Sequence, residues 1–171
     1  YVYMAKNNFF EALDSYTAAK SKFEEEALNA ELAEVLLCEG KTYIQLKNYE
    51  KARDVIEQSL AITKKNDLLK IQSDALITHG IVYNKLNNNE KALNFAIEGV
   101  QLAKQNNYIS ILNQGYFVLS DIYNATYDFK SSRDFLRAHL KLSDSLASLK
   151  RANFSKDEET QYLLNEFKEK N

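Results

Sequence analysis

At 171 residues, with 45% of them hydrophobic and 27% charged, the chain has the composition of a globular protein large enough for one continuous core. Its formal net charge is −2 and its basic residues are scattered, the densest pairs being Lys64-Lys65 and Lys150-Arg151, which excludes the electrostatic footprint of a nucleic-acid binder. The single cysteine, Cys38, excludes an internal disulfide and a multi-cysteine metal site.

Proline is absent and glycine occurs only four times, so the two strongest breakers of regular structure are nearly missing and helix is expected throughout. No apolar run approaches the roughly 18–20 residues that cross a bilayer, and the opening "YVYMAKNNFF" lacks the regions of a signal peptide. No membrane contact is therefore expected of this segment. The chain opens inside a repeat, and is read as a piece of something longer.

In chain order, Tyr3, a turn at "KNN" (6–8) and Ala12 form the first, partial unit, residues 1–28. A helix follows with an apolar stripe at Leu32, Val35, Leu36, Tyr43 and Leu46, then a turn at "KNY" (47–49) and a second helix carrying Ala52, Val55, Ile56 and Leu60. The same phrase returns 40 residues on: Ile71, Ala75, Leu76, Tyr83 and Leu86, a turn at "NNN" (87–89), then Ala92. It returns once more with Tyr123, "YDF" (127–129) and Ser132. In each turn an Asn or Asp is expected to take the left-handed conformation that closes one helix before the next. Gly40 and Gly80 fall inside first helices, where glycine costs about 1 kcal/mol relative to alanine, so close approach of a second helix at Ala52 and Ala92 is expected. Helix pairs at constant period bury their apolar faces only against the next pair, which gives an all-α solenoid of antiparallel helix pairs.

The columns end near residue 145. Beyond them, Ser155 and Glu158 form a capping box, "SKDE", expected to open a final helix. A loose heptad runs through Leu142, Leu146, Leu149, Asn153, Lys156, Thr160, Leu163 and Phe167. The expected division is a solenoid over 1–145 and a capping or connecting helix over 146–171, through which a homodimer is a further expectation.

Gly40, Tyr43, Ala52 and Ile56, then Gly80, Tyr83 and Ala92, then Ser120, Tyr123, Ser132 and Leu136, resemble the signature of the tetratricopeptide repeat. The period exceeds the family's usual value of about 34 residues. Because the Tyr43–Ala52 spacing is the family's own, the extra residues belong between units, around "KKNDLLK" (64–70) and "KQNNYIS" (104–110), and lengthen the helices. The resemblance implies a right-handed superhelix whose first helices line a concave groove. It assigns to that groove Glu34, Leu37, Lys41 and Ile44; Asp74, Ile77, Ile81 and Asn84; and Gln114, Phe117, Asp121 and Asn124.

Two ladders stand out among these residues. Leu37, Ile77 and Phe117 would offer apolar contact, or would pack neighbouring first helices together; Ile44, Asn84 and Asn124 would bring amides to a peptide backbone. Chaperone-binding members of the family clamp a terminal carboxylate with lysine where this chain has Leu37, Ile77 and Phe117, so that specificity is not implied.

No catalytic, cofactor or metal pattern appears. His79 and His139 lie 60 positions apart with no zinc spacing, and Gly40, Gly80, Gly99 and Gly115 are too dispersed for a phosphate loop. The acidic runs at 24–26 and 157–159 read as solvated helix faces, and Cys38 as a small core residue.

Finally, the stretch around Asp144, Ser145 and Leu146 is similar to the segment after the repeats in Bacteroidetes-type signalling proteins, where a connecting helix leads to a membrane span and a kinase or DNA-binding domain. The expected function is a non-catalytic protein- or peptide-binding sensor or scaffold in a larger bacterial regulator, periplasmic or cytoplasmic. A quorum-peptide receptor and a free-standing structural adaptor are the alternatives.

Overall fold

The computed structural model describes the backbone of residues 2–169 and the side chains of residues 8–151. The chain forms α1 (Val2–Glu25), α2 (Asn29–Gln45), α3 (Tyr49–Lys65), α4 (Leu69–Lys85), α5 (Asn89–Gln105), α6 (Ile109–Ala125) and α7 (Phe129–Glu169). Helices α2 to α6 are each 17 residues long and every join is three residues, so the length beyond a short repeat lies in the helices. Consecutive helices pack side by side, and α4 also touches both α2 and α6. Among the described residues the second helices α3, α5 and α7 do not touch one another. First helices crowded together on one side and second helices spread on the other curve the stack around the first-helix face.

The repeated phrase is explained residue by residue at the inner turn. Tyr43 accepts from the Asn48 amide at 2.9 Å and Ile44 from the Lys47 amide at 3.0 Å, the paired bonds of a Schellman helix end. Asn48 then caps α3, its Oδ1 accepting from the Lys51 amide at 3.3 Å. The ammonium of Lys51 lies 5.5 Å from the centre of the Tyr43 ring, and Ala52 is fully buried. Tyr83, Asn88, Lys91 and Ala92 repeat the arrangement.

The left-handed positions differ in part from expectation. They are Lys47, Asn87 and Tyr127, with Ala27, Asp67 and Asn107 at the outer joins. Of the three inner turns, only "NNN" gives the left-handed angle to an amide residue. Asn48 and Asp128 stand one residue later, where a side-chain acceptor is worth more as a cap; Asp128 accepts from both the amide and the hydroxyl of Ser131. A left-handed non-glycine residue costs about 1–2 kcal/mol, less the entropy that glycine brings. Lys47→Gly and Tyr127→Gly should therefore each raise stability by about 0.5–1 kcal/mol, whereas Asn48→Ala should lower it by about 1 kcal/mol, read from denaturant midpoints.

Two expectations at the ends are corrected. The turn at 6–8 does not form: α1 runs unbroken through it, from Val2 to Glu25. At the other end, α7 is one helix of 41 residues that passes both 145 and 155 without a break, so Ser155 and Glu158 have no helix start to cap. The side chains of that box, and of the heptad from Asn153 onward, lie outside the described residues.

Glycines set the helix spacing. A Cβ on Gly80 would come within 3.0 Å of Ala96 Cβ and 3.1 Å of the Ala92 carbonyl oxygen, and one on Gly40 would overlap the Ile56 side chain at 2.5 Å. Gly99 lets α5 reach α4 more closely still, leaving only 2.9 Å to the Ser73 carbonyl oxygen. Hydroxyls tie the same interfaces: Ser59 donates to the Ala33 carbonyl at 2.7 Å and Ser73 to the Gly99 carbonyl at 2.8 Å.

Candidate functional site

The face made by α2, α4 and α6 carries three neighbouring hollows. The largest, about 420 Å³, is lined by Glu34, Leu37, Leu68, Leu69, Lys70, Ile71, Asp74, Tyr108 and Ile111. The second, about 210 Å³, is walled by Lys41, Ile44, Gln45, Thr78, Ile81 and Gln114. The third, about 270 Å³, shares Ile81 and Gln114 and adds Asn84, Lys85, Phe117, Val118 and Asp121. The second and third adjoin at Ile81 and Gln114, and the first lies further toward the starts of the same helices; the three together make a trough whose lining mixes apolar side chains with amide and charged groups.

Helical periodicity accounts for this convergence. Lys41, Ile44, Ile81, Asn84, Gln114, Phe117 and Asp121 are spaced three or four residues apart on helices that lie next to each other, so they share one face. Lys41 Nζ donates to Asp74 Oδ2 at 2.8 Å, bridging α2 and α4 across the trough. Thr78 donates to the Asp74 carbonyl at 2.7 Å from one turn further along α4. This pairing leaves Glu34, Lys70, Lys85 and Asp121 as the charges around the trough that make no ion pair among the described residues.

The apolar ladder is not a uniform groove surface. Ile77 is fully buried, lying against the spots where Gly99 and Gly115 lack a side chain. Leu37 is only 4% exposed. Both hold neighbouring helices together, which removes Ile77 from the set of groove contacts. Phe117 is 45% exposed, with no further first helix packed on α6 among the described residues; its ring lies 5.3 Å from that of His139, tilted to it. Asn124 is exposed but lines none of the three hollows.

The groove set implied by the resemblance leaves out Leu68, Leu69, Ile71, Tyr108 and Ile111, the apolar walls of the 420 Å³ hollow. A sign of them is in the sequence. Leu28, Leu68 and Tyr108 occupy the cap positions of the first helices and provide no side-chain cap, while the second helices have Asn or Asp there. An apolar residue where a cap is expected has been kept for packing or contact instead.

Elsewhere the titratable groups are structural. Burial lowers the His79 pKa to about 4, with Arg53, Lys91 and Lys64 acting in the same direction. Burial pushes the Cys38 thiol up, the opposite of what a reactive thiolate requires. His139 Nδ1 lies 3.0 Å from the Asn113 carbonyl oxygen, which can only accept, so that nitrogen carries the proton. Among the described residues no group of three or more His, Cys, Asp or Glu side chains is placed to hold a metal ion, and no helix is long and apolar enough to cross a membrane.

Residues 33–66 match the tetratricopeptide repeat. That segment is most of α2 and the whole of α3, one helix pair of the solenoid. No curated protein matches the chain by sequence. Among solved structures, the apo form of RapI superposes with a TM-score of 0.76 at 19% identity, over 86% of this chain and 54% of that one. Aspartyl phosphate phosphatase F from Bacillus subtilis gives 0.74 at 17% identity, over 85% of this chain and 38% of that one. The tetratricopeptide domain of Arabidopsis FLU gives 0.62 at 16% identity, over 66% of this chain and 95% of that one. At these identities the likeness is one of fold: a solenoid of tetratricopeptide-like helix pairs. The chain spans about half the length of RapI and less than that of the phosphatase.

Proposed function

We propose that this chain is a protein- or peptide-binding domain whose ligand lies in the trough of α2, α4 and α6. The observation that carries this reading is the set of three hollows on one face, in which Ile44, Ile81 and Phe117 offer apolar contact, Leu37 underlies the first, and Asn84 and Gln114 offer amides. An extended backbone needs donors and acceptors along its length, and an amide side chain supplies both. Glu34, Lys41, Asp74, Asp121 and the more distant Asn124 complete the proposed binding face.

The test is selection of a random displayed peptide library on the purified chain. Enriched peptides should lose about tenfold or more in affinity on Phe117→Ala and on Asn84→Ala with Gln114→Ala, and none on Lys64→Glu in α3. Absence of enrichment, or peptides indifferent to the trough substitutions, would sink the reading.

The wider role we infer is that of a sensor or scaffold within a larger bacterial regulator. The unbroken α7 supports it, since a helix continuous from the last repeat to residue 169 transmits a displacement along its axis. A receptor for short secreted peptides is the second reading, supported by the 17-residue helices of the long repeat. It predicts enrichment of short free peptides with no dependence on a downstream domain.

A further inference from the structure

The last second helix leaves exposed two apolar columns that α3 and α5 bury. Ile56 and Ala96 are fully buried, but Leu136, 40 residues after Ala96, is 38% exposed. Leu60 clusters with Ala75 and Leu76 of α4, and Val100 meets α6 at Gly115. Leu140, in the same column, is 53% exposed, and Phe129 is 62% exposed. At ~100° per residue, Phe129, Leu136, Leu140 and the exposed Ala147 fall on one line of α7. In earlier repeats the chain turns back after its second helix and lays the next first helix on this line. Here α7 continues straight through the position of that turn, and among the described residues no helix covers the line.

We propose that a second copy of this chain covers the face, α7 packing antiparallel on α7 about a two-fold axis near residue 138. The charges flanking the line favour that occupant. Setting Leu136 beside Leu140 of the other copy brings Phe129 beside Ala147 and Arg133 level with Asp144, on the same flank of the interface. The two-fold axis makes each of these contacts twice, so both copies gain an Arg–Asp pair beside an apolar seam. Arg137 and Lys141 lie further round the helix, toward solvent. A parallel pairing, with its two-fold axis along the helices, would put the Arg133 and Asp144 side chains of the two copies on opposite flanks and form no such pair.

Sedimentation equilibrium of the full chain tests the arrangement. The expected mass is twice the 19.7 kDa of one chain. Leu136→Glu with Leu140→Glu should yield a monomer of unchanged far-ultraviolet circular dichroism. Arg133→Glu alone and Asp144→Arg alone should each weaken association about tenfold or more, and an equimolar mixture of the two variants should restore it, because each meets its complement in a heterodimer. A monomer at every concentration overturns the proposal. So does a dimer untouched by the leucine substitutions, or a mixture no tighter than its components.

Discussion

Lys20→Met should destabilise the N-terminal end of the solenoid by about 2–3 kcal/mol, because it strands a buried carboxylate. Lys20 of α1 donates to Glu39 Oε2 of α2 at 2.6 Å, and the Glu39 side chain is only 7% exposed. Removing the ammonium leaves that charge without its counter-ion and with little water. Lys20 keeps 24% exposure, which lets some water reach the site and holds the cost below that of a fully buried pair. Removing both charges, as Lys20→Met with Glu39→Leu, should recover most of the loss. In a solenoid each unit is stabilised by its neighbours alone, so the damage should appear first as faster amide exchange in α1 and the facing side of α2, with α4 to α6 unaffected. Uniform loss of protection across the chain would contradict this account.

His79→Phe should stabilise the protein at neutral pH by about 1–2 kcal/mol and remove a pH dependence that the unsubstituted chain shows. His79 is 2% exposed and its two ring nitrogens have no hydrogen-bond partner among the described residues. Its ring lies 4.7 Å from that of Tyr83 and 4.3 Å from that of Phe95, a place suited to an apolar aromatic. The Glu57 carboxylate is 3.6 Å from Nε2 and half-exposed, too distant for a hydrogen bond. The folded pKa is near 4 against an ordinary value of 6.5, so the unfolded chain binds the proton more readily. Stability is thus complete above pH 6.5 and declines as the pH falls toward 4, by about 3 kcal/mol over the interval. The readout is urea unfolding at pH 7 and pH 4.5, taking the difference between the two proteins so that carboxylate titrations cancel. Equal slopes would show that His79 is protonated in the fold.

How much of this was legible beforehand differs by position. The columns at Tyr43, Tyr83 and Tyr123 marked the helix ends, because the residue that accepts the closing bond of each turn recurs with the turn. The left-handed angle at Lys47 and Tyr127 was not legible from residue preference, since the preferred residue was needed one place later as a cap. In the trough, the resemblance to the tetratricopeptide repeat assigned Lys41, Ile81, Gln114 and Phe117 to one face. It gave Leu37 and Ile77 no different standing from Phe117, though in the fold Ile77 is sealed and Phe117 is open.

By itself the sequence determined the helices, their pairing and the direction each helix faces, because these follow from contacts within about 40 residues of chain and repeat with the period. Only the tertiary structure decided which of those faces stays open. Exposure depends on whether another helix lies above a given residue, as α6 lies over Val100 while no described residue covers Leu140, and residues in one column look alike until that neighbour is known. The same holds for the Lys41–Asp74 bridge and for the walls at Leu68 and Tyr108, which join units that periodicity describes one at a time.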